Sequence, residues 1–215
     1  REMFFGSVYK MLVKRKDDPK PEVFVFGTEN HAIRAEKALF DLAVWAQTQP
    51  ALLDYLNSAP ADKICSALHT DPKPIPALEE FSTRFESYLR EYGHAIYDLD
   101  FAKPTPHDDP APLIETLKIY LTGKNNPYER QRAALDLREK EAERISKRLD
   151  PLRRKWFSKM LAWAQDTAPM RENSIADMGL GHPQIRRLLS ELGRRLMTGG
   201  AIERADDVYW LEAQE

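Results

Sequence analysis

Glycine is scarce in this chain, at 9 of 215 residues, against an ordinary usage of roughly 7%. That scarcity argues against Gly-rich phosphate-cradling loops and glycine-dense β folds. There is a single cysteine, Cys65, so neither an internal disulfide framework nor a paired-cysteine zinc site can form. Cys65 sits in the apolar run Ile64-Cys65-Ser66-Ala67-Leu68 with no basic neighbour, so it reads as a core filler and not a reactive thiol. No stretch approaches the ~18 to 20 apolar residues that span a bilayer. No signal peptide is visible either, and a cytoplasmic location is the default expectation. The formal net charge of -2 gives no global reason to expect nucleic acid or an anionic membrane as partner. The patterns GxxxxGK[ST], HExxH and GxSxG do not occur, so no catalytic residue, cofactor loop or metal site is assigned within the chain. A start at Arg1 in place of methionine reads as a piece of a longer protein.

What is present is enough apolar material for a core: 42% of the residues are hydrophobic. The length fits one domain, or one domain with a small subdomain. Residues 1–27 read as an extended N-terminal segment, with Glu22 to Phe26 a short strand. Thr28 is placed to cap the helix that follows, in which Ala35, Ala38, Leu39, Leu42 and Ala46 share a face. Pro50 to Leu68 reads as two short helices split at Ala59-Pro60. The next helix carries Leu78, Phe81, Phe85, Leu89 and Tyr92 at spacings of three and four. Residues 93–112 hold Pro104, Pro106, Pro110 and Pro112 and form the longest non-helical stretch, where the domain would subdivide. A short helix over Leu113 to Leu121 and a turn at Gly123 to Pro127 come next.

The strongest periodic signal is Ile145, Leu149, Leu152, Trp156, Met160 and Trp163. It predicts a long helix from about Pro127 to Gln165, kinked or divided at Pro151. A last helix carries Ile185, Leu188, Leu189, Leu192 and Leu196, begins near Pro183 and stops at Gly199-Gly200. Asp206 to Leu211 reads as a short β segment. The expected class is mainly α: long antiparallel helices with shorter helices packed on them, and minor β at the two ends.

Four features bear on chemistry. His94, with Asp98 and Asp100 nearby, could serve acid/base work or metal binding, but spacing favours a helix end, with Gly93 terminating it and His94 capping its carbonyls. Arg171 could hold a phosphate or carboxylate, whereas Arg171 and Glu172 as an exposed ion pair would count for little. The helix over Glu129 to Lys159 has eleven Lys/Arg and six Asp/Glu. Mixed signs around an apolar stripe fit a solvated bundle helix better than a nucleic-acid face. Trp45, Trp156, Trp163 and Trp210 read as core packing, although aromatic walls also line pockets for flat ligands.

Two blocks resemble a known family. One is Tyr92-Gly93-His94, then Leu99-Asp100-Phe101-Ala102-Lys103-Pro104 and Asp108-Asp109-Pro110. The other is Arg171-Glu172, Arg186 to Leu196, Gly200-Ala201-Ile202 and Asp206 to Leu211. Their order resembles the helical region of the phosphoenolpyruvate synthase and rifampicin phosphotransferase-like (dikinase-type) enzymes. The resemblance implies that residues 28–215 are the acceptor-binding domain of an ATP-dependent phosphotransferase. Such a domain holds a small-molecule acceptor for the ATP-grasp and phosphohistidine domains of the same parent chain. ATP and Mg²⁺ belong to that intact enzyme, and none of the five histidines here lies in the Gly-rich Ser-His context of the phosphorylated one, so the chain alone should not transfer phosphate. It implies substrate-binding roles for Arg171 and Glu172, with His94 anchoring the loop after its helix. The family's lysine one turn after the arginine is Ile175 here, and the arginine after Gly-His is Ala95. Either the acceptor differs or the site is degenerate. Two rival readings are a helical protein-interaction module and a nucleic-acid binder using Arg186, Arg187, Arg194 and Arg195.

Overall fold

The computed structural model describes residues 2–96 and 100–212, and within these it is helical throughout, with no strand. Helix α1 is Glu2–Leu12, and Pro21–Phe24 is a 3-10 turn. They are followed by α2 (His31–Gln47), α3 (Pro50–Ser58), α4 (Ala61–Leu68), α5 (Ala77–Tyr92) and α6 (Ala111–Leu121). The chain continues through α7 (Pro127–Arg148), α8 (Pro151–Gly179) and α9 (His182–Thr198) to a closing 3-10 turn, Ala205–Trp210. No helix among the described residues is long and apolar enough to cross a membrane.

The mainly α class stands, but both expected β ends are corrected. Pro21 sets the φ of the first segment's opening turn, and Val25 and Phe26 donate their amides to the Glu22 carbonyl, so it winds instead of pairing. The second segment is wound by Asp207, whose carboxylate accepts from the Arg204 amide at 2.8 Å. Residues 2–12, expected to be extended, form α1, because Phe5 and Tyr9 lie one turn apart and both are buried. Thr28 is not the cap of α2. Its hydroxyl donates to the Val25 carbonyl, while Asn30 Oδ1 accepts from the Ile33 amide at 2.9 Å.

The division at Pro151 is sharp. Leu149 leaves the helical region, and Asp150 Oδ1 accepts from the amides of Leu152 and Arg153, starting a new helix. These two non-helical residues reset the phase. Within unit 1 the buried residues of α8 are Phe157, Leu161, Ala164 and Ala168, at spacings of 4, 3 and 4. That face is one residue, about 100° of helix, from the expected stripe. Of that stripe Ile145 and Leu149 are buried, but Leu152, Trp156 and Trp163 are 75%, 49% and 37% exposed. On α9 the apolar face is likewise open, with Leu188 at 71%. Trp210, at 74%, is no core residue either.

The chain divides into two compact units. Unit 1 is residues 1–40 and 123–174, and unit 2 is residues 41–122 and 175–215. Helices α2 and α8 each run from one into the other. The unit 1 core joins Phe5, Tyr9 and Phe24 to Ile145, Phe157 and Leu161. Tyr9 and Phe24 meet edge to face at 5.1 Å. The Tyr9 hydroxyl donates to the Pro19 carbonyl at 3.0 Å, and burial pushes it up to about 12. The unit 2 core joins Leu52, Leu56, Ile64, Leu78, Phe81 and Ile114, each fully buried. Along α5, the rings of Phe81, Phe85, Tyr88 and Tyr92 follow one another at 5.2 to 6.2 Å, at spacings of 4, 3 and 4; Phe81, Phe85 and Tyr92 are of the predicted face, and Tyr88 joins them.

Candidate functional site

Arg171 and Glu172 lie in unit 1, on α8 just after its internal Pro169. Proline removes one backbone donor from the helix there. The Arg171 side chain is 72% exposed, and its guanidinium is 3.8 Å from the Glu172 carboxylate. A contact that long between exposed neighbours adds little stability. This stretch of helix is held by Asn173, two residues on. Its Oδ1 accepts from the His31 amide at 2.9 Å, at the start of α2. About two turns earlier, Gln165 donates to the Phe24 carbonyl at 3.0 Å. Neither anchor was visible in the sequence, since each depends on a contact more than 140 residues away.

His94 belongs to unit 2. Gly93 terminates α5, its amide donating to the Leu89 carbonyl at 2.7 Å. The Gly93 carbonyl in turn accepts from the His107 amide at 2.9 Å, which ties the helix end to the loop. The backbone at His94 packs against the end of α8: a Cβ on Gly179 would stand 2.4 Å from the His94 carbonyl oxygen. His94 is half-buried. Of the two carboxylates weighed beside it, Asp98 lies outside the described residues. Asp100 Oδ1 accepts from the Ala102 amide, a turn contact. No cluster of three or more His, Cys, Asp or Glu that could hold a metal occurs among the described residues.

Within unit 2 the structure joins Phe101 and Asp108 of the first block to Arg186 and Tyr209 of the second, while Arg171 and Glu172 lie in unit 1. Arg186 of α9 donates through Nε to Asp108 at 2.9 Å and through a terminal nitrogen to the Phe101 carbonyl. Its guanidinium lies over the Tyr209 ring, 5.4 Å from the centroid, and the Tyr209 hydroxyl meets Ser190 at 3.1 Å. Asp108 also accepts from the buried Thr105, through amide and hydroxyl at 2.9 and 2.8 Å. Burial pushes the Asp108 carboxyl up, but the Thr105 hydrogen bonds and the Arg186 charge outweigh it and hold the group below the ordinary carboxylate range. The His182 and Phe101 rings stack at 4.5 Å. One arginine therefore joins the proline-rich loop, α9 and the closing turn. The sequence showed Arg186 only as one of four arginines on a helix.

This arrangement takes Arg186 out of the set of four α9 arginines and leaves Arg187, Arg194 and Arg195 exposed. The Arg186 side chain is 13% exposed and committed inward, and Arg194 and Arg195 both pair with Glu191 at 2.8 Å. Cys65 is half-buried, and burial pushes its thiol up, the opposite of activation.

The fold and these residues define an all-α domain that offers an exposed Arg-Glu pair on a long, anchored helix. Residues 6–172 match the model of the rifampicin phosphotransferase fourth domain, and the chain belongs to that family. Among curated proteins it is 24% identical over 212 residues to chondramide synthase cmdD of Chondromyces crocatus, covering 93% of this chain and 5% of the synthase. It is 22% identical over 187 residues to the prodigiosin synthesizing transferase PigC of Serratia marcescens, covering 82% of this chain and 20% of the transferase. The chain thus spans a minor part of both relatives. Arg171 and Glu172 are the last two positions of the family match.

Proposed function

We propose that this chain is the acceptor-holding helical domain of an ATP-dependent phosphotransferase of the dikinase type. The observation that carries the reading is the family match, which runs up to Arg171 and Glu172 on an exposed stretch of α8. In this reading Arg171 neutralises phosphate charge at the acceptor, since guanidinium geometry suits a phosphoryl group. Glu172 orients the arginine or accepts the acceptor's hydroxyl proton. Asn173 holds this segment to α2, and His94 anchors the loop after α5. ATP, Mg²⁺ and the phosphohistidine come from other domains of the parent chain, and supply the phosphoryl group. Ile175 and Ala95 in place of the family's basic residues point to a different acceptor or to a degenerate site.

Arg171→Ala in the intact parent enzyme is the test. Because the side chain is exposed and weakly paired, unfolding stability should change by less than about 0.5 kcal/mol. Turnover should fall at least tenfold, with partial recovery in Arg171→Lys. Equal loss of stability and turnover would sink the assignment. The interaction-module reading retains one supporting observation: Ile185, Leu188 and Leu192 form an apolar stripe on α9 that is 42%, 71% and 46% exposed.

A further inference from the structure

Unit 1 contains a groove that no step of the phosphotransferase reading uses. It lies between α1 and the first turns of α8, with a volume of about 240 Å³. Phe5, Tyr9 and Phe157 make its buried floor, at 2%, 1% and 4% exposure. Val8, Trp156 and Met160 form its sides. The Tyr9 hydroxyl is turned to the Pro19 carbonyl, so the floor offers a ligand no polar group. A dry apolar cavity of roughly 150 Å³ holds one benzene ring. This groove therefore suits a body of one or two rings, or a short acyl chain.

Its mouth is different. Leu152 and Arg153 stand there, and Arg153 is held only by a 3.4 Å contact to Asp150, with 68% of its side chain exposed. The fifteen residues 151–165 carry four cations, Arg153, Arg154, Lys155 and Lys159, and no acid. On the other side, Val13 lines the groove and is followed directly by Lys14, Arg15 and Lys16. The nearby Asp18 carboxylate is consumed by Arg148 and Arg144. The segments that flank the groove, 13–18 and 150–165, thus carry more cations than acids, Arg154 among them turned to the Ser146 and Leu149 carbonyls, while the lining apart from Arg153 is apolar.

We infer that this groove is a binding site for a small amphipathic anion, with a flat or acyl body in the aromatic cleft and a carboxylate, sulfonate or phosphate at the cationic mouth. The site lies on the same helix as Arg171, with Trp156 fifteen residues, about four turns, before it. It stands or falls independently of the acceptor assignment. Residues at helical spacing produced it only because the division at Pro151 turned Trp156 away from the core.

A matched pair of fluorescent probes tests it. 1-Anilinonaphthalene-8-sulfonate and N-phenyl-1-naphthylamine share the same apolar body, and only the first is an anion. Titrated into the 215-residue chain, the sulfonate should bind at least threefold more tightly than the neutral amine. Leu152→Glu and Arg153→Gln should abolish that preference and leave the amine's affinity unchanged. Val8→Trp should fill the cleft and weaken both probes at least tenfold, with an unaltered circular dichroism spectrum. Leu188→Ala on α9 should change neither. Leu152 is 75% exposed, so its variant folds even where Val8→Trp does not. Equal affinity for the two probes overturns the inference, as does binding that survives both Leu152→Glu and Arg153→Gln undiminished in preference. Sedimentation with phosphatidylglycerol vesicles without binding of the soluble sulfonate would assign the face to a membrane and also overturn it.

Discussion

Asp18→Asn should cost unit 1 on the order of 2 to 3 kcal/mol. The Asp18 side chain is 2% exposed. Its carboxylate accepts from the Arg15 amide at 2.7 Å, from Arg144 at 3.2 Å and from two nitrogens of Arg148. Arg148 also donates to the Val13 carbonyl at 2.8 Å, so one ion pair fastens residues 13–18 to α7. The hydrogen bonds from Arg148 outweigh burial and hold the Asp18 carboxyl at about 2, down from 3.8. That depression corresponds to roughly 2.5 kcal/mol at neutral pH. Breaking a fully buried pair costs ~3 to 5 kcal/mol, and the partial exposure of Arg148 and Arg144, 19% and 44%, lowers this. The two routes agree. The sign follows from a depressed folded value: the stabilisation is complete above pH 3.8 and is lost as pH falls through about 2. Urea unfolding should therefore show a gap between wild type and Asp18→Asn at pH 7 that closes between pH 4 and 2. A gap below about 0.5 kcal/mol at pH 7, or one that persists at pH 2, would refute the account.

Two further outcomes follow from unit 2. Gly193→Ala should destabilise it by about 1 to 3 kcal/mol, because the new Cβ would stand 2.0 Å from the Ala205 carbonyl oxygen, a backbone atom; thermal unfolding checks this. Arg186→Gln should speed amide exchange across residues 100–110 and 205–210 together, since one guanidinium ties both to α9. Acceleration in one segment alone would show that they are held separately.

The local signals in the sequence were reliable where the competing forces are local. Pro60, Pro110 and Pro127 mark helix starts or connectors, Gly93 and Gly199 end helices, and the α5 ladder of Phe81, Phe85 and Tyr92 is buried as its spacing predicts. Long-range partners were not legible. Nothing near Arg186 announces Asp108, 78 residues away, and nothing near Asp18 announces Arg148, 130 residues away. The stripe over residues 145–163 misled because periodicity assumes an unbroken helix. Leu149 and Asp150 break it, and every later position rotates by about one residue. For the candidate site, Arg171 and Glu172 were identifiable from the family pattern, while Asn173, which fixes their stretch of α8, was not.

The same break gives a physical reason why so much apolar surface remains exposed. A helix that buried Leu152, Trp156 and Trp163 would leave Phe157, Leu161 and Ala164 outside; the chain takes the second set into the unit 1 core. The first set is thereby freed for other contacts, and α9 offers a second open face in unit 2. Large apolar side chains kept in water bring no gain in folding stability, and grouped as they are here they mark surfaces meant to be covered. The groove between α1 and α8 is concave, bounded and rimmed by cations, which suits a small ligand. The α9 stripe of Ile185, Leu188 and Leu192 is exposed and flanked by arginines paired to Glu191, which suits a protein surface better. If the sulfonate probe binds the groove and leaves the α9 face untouched, the two surfaces have separate uses, and the domain holds more than an acceptor.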